Sequence, residues 1–515
     1  MADIGLSSLP SAERAPARTI VSGSVLTVLA VVGAVTLARI AVLAGSQLPL
    51  SMDEAQYWLW SRDLAFGYFS KPPLLAWIIA ATTAVCGDGE ACVRVSAPLL
   101  HGGTALMIYA IGLRLFDAPT ALWSAVTYIV MPGVSVSAVI ASTDVPLLFF
   151  WTVALHALVR ARETNATRWW LLLGIALGLG LLSKYAMAYF ALCVAMWVWM
   201  EPQVRPVVMS RGMVLAAAVA VALYLPNLVW NVGHDFVSYR HTVDNMNLGA
   251  DLFRPDETLA FVAAQFGLFG PIMMVALLAA GIGFARRATP LPHGAFLLAF
   301  TVPILAVIVV QSFVSRAHAN WAAPAYIAAT LLACAWCVAR GRQSWVRFSI
   351  GLHVLAATLA YNLDTLSAVT GVPLKRAVDP AVQVRGWDHA GAWAADLRRR
   401  HPGVKFLFDE RTTMAEVMYY DRPHAFDAVM WNAKGTVNNH FEMTTDAGRH
   451  LGDNFIYVTR RGDPAVVGAR FASIAPLAEA SWQAYPGHRL VLRAYLARGF
   501  QGYAPLDAMQ PEVRP

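Results

Sequence analysis

The chain has 515 residues, 57% of them hydrophobic and only 14% charged, against roughly 25% charged in ordinary soluble domains. A mean hydropathy of +0.52 over that length excludes one large soluble core and points to a polytopic membrane protein. The net charge of +7 comes mostly from arginines in short loops, which suits membrane orientation and lacks the clustered basic face that nucleic-acid binding needs.

Polar residues 1–18, with Arg14 and Arg18, precede the first apolar run at 20–48. That run is too long for a signal-peptide core of roughly 7–15 residues and ends in no small-residue cleavage site, so it reads as a retained span. Arg39, near its outer end, is expected to pair with a loop carboxylate or reach the headgroups. Residues 49–94 form the first outer loop. Its first half, 53–66, is rich in aromatics and charges and predicts an interfacial amphipathic helix. Residues 72–85 are apolar for only about 14 residues, short of the roughly 20 needed to span, which predicts a second helix lying in the interface. Cys86 and Cys92 fall in this loop, where a disulfide is allowed.

Further spans are expected at 95–115, 119–140, 145–160, 169–183, 185–200, 213–231, 259–284, 294–313, 320–339 and 348–365, which with the first makes about eleven. Placing the N-terminus in the cytoplasm puts Arg14, Arg18, Arg114, Arg160, Arg162, Arg168, Arg205, Arg211, Arg286, Arg287, Arg340, Arg342 and Arg347 inside and leaves fewer basic residues outside, as the positive-inside rule requires. Cys193, Cys334 and Cys337 lie in apolar runs and read as small core residues, despite the redox-like spacing of the last two.

An odd number of spans leaves 366–515 outside. Here charges become frequent and apolar runs shorten. Residues 386–400 predict an amphipathic helix stopped by His401-Pro402-Gly403. Residues 404–408 and 455–458 predict strands, with a helix at 412–420 between them. The fold class is therefore an all-α polytopic membrane domain, 19–365, followed by a soluble α/β domain.

Under this topology the ionisable residues converge on one face. Asp53, Glu54 and Lys71 lie in the first outer loop, Asp144 between the third and fourth spans, and Lys184 between the fifth and sixth. His234, Tyr239, Arg240 and His241 occupy the fourth outer loop, and Arg316, His318 and Asn320 precede the tenth span. Charges are expensive near lipid, which makes chemistry the first explanation to test. Cations can hold a phosphate, while a carboxylate accepts a proton or, with Asp53 and Asp144 together, binds a divalent metal ion.

Each residue also has a structural reading. Asp144 can cap the fourth helix, and Glu54 can be a capping or solvated neighbour. Lys71 and Lys184 can snorkel, Arg316 can be an ordinary juxtamembrane arginine, and the histidines can be plain structural residues.

The motifs Asp53-Glu-Ala-Gln-Tyr57, Phe69-Ser-Lys-Pro-Pro-Leu74, Ser142-Thr-Asp144 and Ser183-Lys184, with Gln265-Phe-Gly-Leu-Phe-Gly-Pro271 and Asn320-Trp-Ala-Ala-Pro-Ala-Tyr326, resemble membrane glycosyltransferases of the GT-C fold. The branch is the bacterial one similar to protein O-mannosyltransferases and lipid A aminoarabinose transferases, and the likeness covers about 20–365. The resemblance implies a polyprenyl-phosphate sugar donor and inverting transfer to a periplasmic lipid, glycan or protein from a bacterial inner-membrane enzyme. By position it implies Asp53 as general base and Asp144 as a second acid organising the site, in some members around a divalent cation. Lys71 and Lys184 would lie on the phosphate or sugar, and Tyr57 would line the site. Arg240 and Arg316 match no single family residue and stay phosphate-ligand candidates on charge alone.

Two departures count against the aminoarabinose sugar itself. That branch usually has an acid before Lys-Pro-Pro, where this chain has Ser70. An arginine often precedes the motif tyrosine, where it has Gln56.

The rival class is a transporter or flippase of a lipid-linked sugar. That would place ionisable residues mid-membrane on broken helices in two similar halves, a pattern this sequence lacks. An envelope scaffold would leave Asp53, Lys71 and Asp144 unexplained. The enzyme reading requires both aspartates and both lysines to share one pocket.

Overall fold

The computed structural model of the protein describes residues 15–246, 253–288, 291–374, 376, 379, 381–382, 384–485 and 487–503, with side chains from residue 23. Arg14 and the side chain of Arg18, used above for orientation, lie outside the described residues.

A bundle of apolar helices makes up the first two-thirds of the chain. Among the described residues five helices are long and apolar enough to cross a bilayer: Gly23–Gly45, Glu90–Leu115, Asp144–Thr164, Arg211–Gly233 and Gly294–Val314. Two bent pairs bring the number to seven, Pro255–Phe269 with Pro271–Ala285 at 106° and Gln343–Tyr361 with Leu363–Thr370 at 68°. Five shorter apolar helices fill the rest, among them Ala118–Val130, Thr167–Ser183 and Ala325–Ala339.

The expected single span over 259–284 is therefore two helices. The break has a local cause. Gly270 adopts φ +89° against His353, whose Nε2 would lie 2.0 Å from an added Cβ, and Pro271 cannot continue the preceding helix. The expected span at 119–140 likewise stops at Val130 and restarts as Pro132–Ser137.

Arg39 corrects its expectation. It is buried and pairs with no loop acid among the described residues. Its guanidinium donates to the Ile129 carbonyl at 2.6 Å and the Ser135 hydroxyl at 2.9 Å, filling the place where the first of these helices runs out of backbone partners.

The first long loop folds as two helices, Met52–Trp60 and Leu74–Cys86. The second is too short to span, as expected, and a Cys86–Cys92 disulfide follows it.

The C-terminal domain is a five-stranded sheet with order β2-β1-β3-β5-β4, built from β1 (Lys405–Phe408), β2 (Val429–Met430), β3 (Phe455–Thr459), β4 (Phe471–Tyr485) and β5 (His488–Phe500). β1 pairs in parallel with β2 and β3, and β5 runs antiparallel to β3 and β4. Because strand side chains alternate, the sheet has two apolar faces. Leu407, Phe455, Tyr457 and Phe500 pack on one.

The other face carries Phe406, Phe408, Ile456 and Leu492. It shares a continuous core with helices Trp387–Arg400 and Arg411–Tyr420 and with Ala55, Trp58 and Trp60 of the first loop. Trp58 meets Tyr419 edge-on at 5.0 Å. The Leu50 amide donates to the Tyr420 hydroxyl at 2.8 Å, and the Tyr419 hydroxyl donates to the Asp88 carbonyl at 2.6 Å. The domain is thus welded to the loop that carries Asp53.

Candidate active site

The site begins with Ser51. Its extended backbone and hydroxyl cap the helix Met52–Trp60, and Glu54 closes the reciprocal half of the capping box. Successive helical residues point about 100° apart, so Asp53 and Glu54 take opposite fates. Glu54 is 2% exposed. It binds the Arg94 guanidinium through both oxygens at 2.8 Å and accepts from the Ala141 amide at 2.9 Å. Burial would raise its pKa, but the opposing Arg94 charge and these hydrogen bonds hold the carboxyl below its usual range. The expectation of Glu54 as a substrate ligand is corrected: every strong partner it has is structural, and it ties the loop to the turn before Asp144.

Asp53 faces outward, its side chain 55% exposed, and meets the guanidinium of Arg411 at 2.6 Å. Arg411 also donates from Nε to the side-chain Oε1 of Gln56 at 2.7 Å. Asp144 opens the helix Asp144–Thr164 but makes no cap. One carboxylate oxygen accepts from the Lys184 ammonium at 2.6 Å and the other from the side-chain Nδ2 of Asn320 at 2.7 Å. Lys184 is the residue at which the helix Thr167–Ser183 gives way to extended backbone, so both partners sit where helices end. The capping and snorkelling readings of this pair therefore fall away.

Lys71, half-buried after the rigid turn, is the cation of this group with no acidic partner among the described residues. Burial, and then the charge of Lys184, lower its pKa, while Asp53 and Asp144 oppose this. Those mutual influences put the two aspartates and the two lysines in one electrostatic neighbourhood. Tyr57 is buried in the same place. Burial and then the Asp53 charge push its phenol well above the ordinary range, so it stays a hydrogen-bond donor.

The remaining candidates lie further out. Partial desolvation, then the charges of Arg316, Lys184 and Lys71, lower the pKa of His318, which places it and Arg316 at the rim. His241, 5.1 Å from the Phe69 ring, is lowered by burial, then by Lys71 and Arg411. Arg240 is exposed on the helix Val237–Asp244. His234 stacks on Trp230 at 4.0 Å. Tyr239 stacks on Tyr185 at 4.8 Å.

Sequence reasoning missed Arg411 and His440, both from the C-terminal domain. His440 packs edge-on against Trp60 at 5.3 Å and Tyr68 at 5.8 Å, and burial with Arg411 pushes its pKa to about 3. Nothing local marks either residue, since Arg411 lies 358 positions from Asp53. Among the described residues no three His, Cys, Asp or Glu side chains form a group that could hold a metal. Both oxygens of Asp144 already face donors, so these residues do not fit a resident cation.

This arrangement can bind an anion at Lys71 and present a carboxylate to a hydroxyl. Residues 70–230 match the dolichyl-phosphate-mannose-protein mannosyltransferase family. The chain is 37% identical over 328 residues to the lipid A galacturonosyltransferase RgtD of Rhizobium johnstonii, covering 63% of this chain and 68% of that protein. It is 29% identical over 204 residues to the lipopolysaccharide core galacturonosyltransferase RgtA of the same organism, covering 39% and 41%. An undecaprenyl phosphate-alpha-4-amino-4-deoxy-L-arabinose arabinosyl transferase of Pseudomonas fluorescens is 28% identical over 176 residues, 32% of each chain. The crystal structure of ArnT from Cupriavidus metallidurans superposes with a TM-score of 0.61 at 16% identity, covering 92% of this chain and 98% of that one, which establishes the common fold. The chain belongs to the GT-C membrane glycosyltransferases that take sugars from polyprenyl phosphate, alongside the O-mannosyltransferases and aminoarabinose transferases.

Proposed function

We propose that this enzyme moves a uronic acid, galacturonate in the first instance, from polyprenyl phosphate to a lipid A-type acceptor at the periplasmic face of the inner membrane, with inversion. The observation that carries the reading is the convergence of Asp53, Asp144, Lys71 and Lys184 at one mouth of the bundle, with Lys71 left unpaired for phosphate. The names of the relatives RgtD and RgtA support the sugar, and RgtD supports the acceptor. Ser70 and Gln56 weigh against aminoarabinose. In this reading the shorter apolar helices bring the crossings toward eleven, and 366–515 forms the outer domain.

Asp53 takes the proton of the acceptor hydroxyl as that oxygen attacks the anomeric carbon. The bond from the anomeric carbon to the phosphate oxygen breaks, and polyprenyl phosphate leaves with the electron pair. Phosphate is already a competent leaving group, so the protein's task is to stabilise its charge in a water-poor site. Lys71 does this directly. Lys184 and Asn320 fix Asp144, which shapes the pocket wall, and protonated Tyr57 donates from below. Arg316, His318 and Arg240 form the approach for an anionic carrier.

Mass spectrometry of envelope lipids with and without the protein tests the reading. Loss of one hexuronic acid from lipid A is expected. Unchanged lipid A, or loss of a different sugar, would overturn it.

A further inference from the structure

Arg411 is an odd companion for a base. A guanidinium 2.6 Å from one oxygen of a carboxylate works against proton transfer from a hydroxyl to either oxygen, because it stabilises the negative charge that protonation would remove. Releasing the carboxylate leaves the guanidinium in need of another anion. Lys71 and Lys184 stand beside it. Lys184 is committed to Asp144, and Lys71 is the cation for the phosphate. The Arg411 side chain is only 26% exposed. Its backbone begins the helix Arg411–Tyr420, which the shared core fixes against Trp58, so it cannot swing far to find solvent. Arginine also differs from lysine in kind: its planar fork matches a carboxylate through two parallel hydrogen bonds.

We propose that Arg411, delivered by the C-terminal domain, is the specificity-determining residue for the donor sugar, exchanging the Asp53 carboxylate for the C6 carboxylate of a uronosyl donor. This rests on the proposed uronic-acid transfer. It couples recognition to chemistry, because binding the correct sugar draws Arg411 off Asp53 and frees the base. The proton then moves from the acceptor hydroxyl to Asp53, the new glycosidic bond forms, and polyprenyl phosphate departs. A neutral sugar offers Arg411 nothing in exchange and leaves the base tied. Gln56 keeps hold of Nε throughout and sets the plane of the fork.

The full-length protein in proteoliposomes is given polyprenyl-phosphate galacturonate or polyprenyl-phosphate galactose, which differ at C6 alone. The wild type is expected to favour the uronate by about 100-fold in kcat/KM. Arg411→Gln should lose on the uronate, which no longer meets the fork, and gain on galactose, because Asp53 is no longer tied, the two changes together erasing the about 100-fold preference. Arg411→Lys keeps the charge without the fork and should fall between the two. Fluorescence melting of each variant separates loss of fold from loss of recognition. A wild type that uses the uronate while Arg411→Gln retains its full preference, or loses both donors equally, sinks the role of Arg411 and leaves the uronic-acid reading standing. A wild type that refuses the uronate but accepts another sugar sinks both.

Discussion

The two faces of the helix Met52–Trp60 show how one chain separates structure from chemistry over a single peptide bond. On the sealed face, Glu54 and Arg94 form an ion pair with side chains 2% and 7% exposed, every strong contact satisfied by the protein itself. On the open face, Asp53 and Arg411 form an equally short pair, but Asp53 is more than half exposed and a mobile solute can compete for it. Distance does not distinguish these pairs. What differs is whether anything outside the protein can replace a partner. The sealed pair holds the loop, while the open pair can change hands.

The largest expected effect breaks the open side. Asp53→Asn keeps size and exposure but cannot take a proton, so kcat should fall by about 1,000-fold. Because the side chain is largely solvated, stability should move by no more than about 0.5 kcal/mol. Single-turnover transfer assays paired with thermal melts check both halves, and substantial turnover would end the base assignment. The mirror experiment strikes the sealed side. Glu54→Gln strands a buried guanidinium, which costs about 3–5 kcal/mol. It should appear as a large drop in melting temperature, with activity lost only as folded protein is lost. If Glu54→Gln instead left stability intact and destroyed turnover, the two faces would have been assigned the wrong way round.

Much of this contrast was legible in the sequence, and the part that was not has a physical reason. Asp53, Asp144, Lys71 and Lys184 stood out because charge beside long apolar runs demands explanation, and the geometry groups them. The short helix Leu74–Cys86 followed from its length alone. Helix Trp387–Arg400 and strands β1 and β3 followed from periodicity and turn residues. The bend at Gly270 was harder, because it depends on the close approach of His353 across the fold. Arg39 was misjudged because backbone carbonyls at a broken helix carry no signature in sequence. The long hairpin of β4 and β5 escaped because β4 is half-buried or exposed along all but its two ends and lacks clear alternation. Arg411 was invisible for the deepest reason. Its role exists only because Met414, Ala415 and Met418, on the same helix, bury themselves against the first loop, and no local rule predicts which surface a small domain will cover.

That same buried seam sharpens the comparison in a smaller way. Glu416 is fully buried, and neither carboxylate oxygen has a hydrogen-bond partner among the described residues. Burial first, and then the charge of Glu54, push its pKa well above 4.5, with Arg94 opposing. A group whose folded pKa is raised binds its proton more tightly in the folded state. Its favourable contribution is therefore complete below the unfolded pKa and is lost as pH rises toward the folded one. In that window stability should decline by about 1.4 kcal/mol per pH unit for this one group. Melting curves of the wild type from pH 5 upward should show the midpoint falling, and Glu416→Gln, which cannot ionise, should flatten that part of the slope. Asp53 lies on the other side of the helix, outside this seam. An Asp53→Asn protein should keep the wild-type slope while Glu416→Gln removes it. Equal flattening by both variants would mean that the two faces titrate as one unit, and that the seam between them is not sealed.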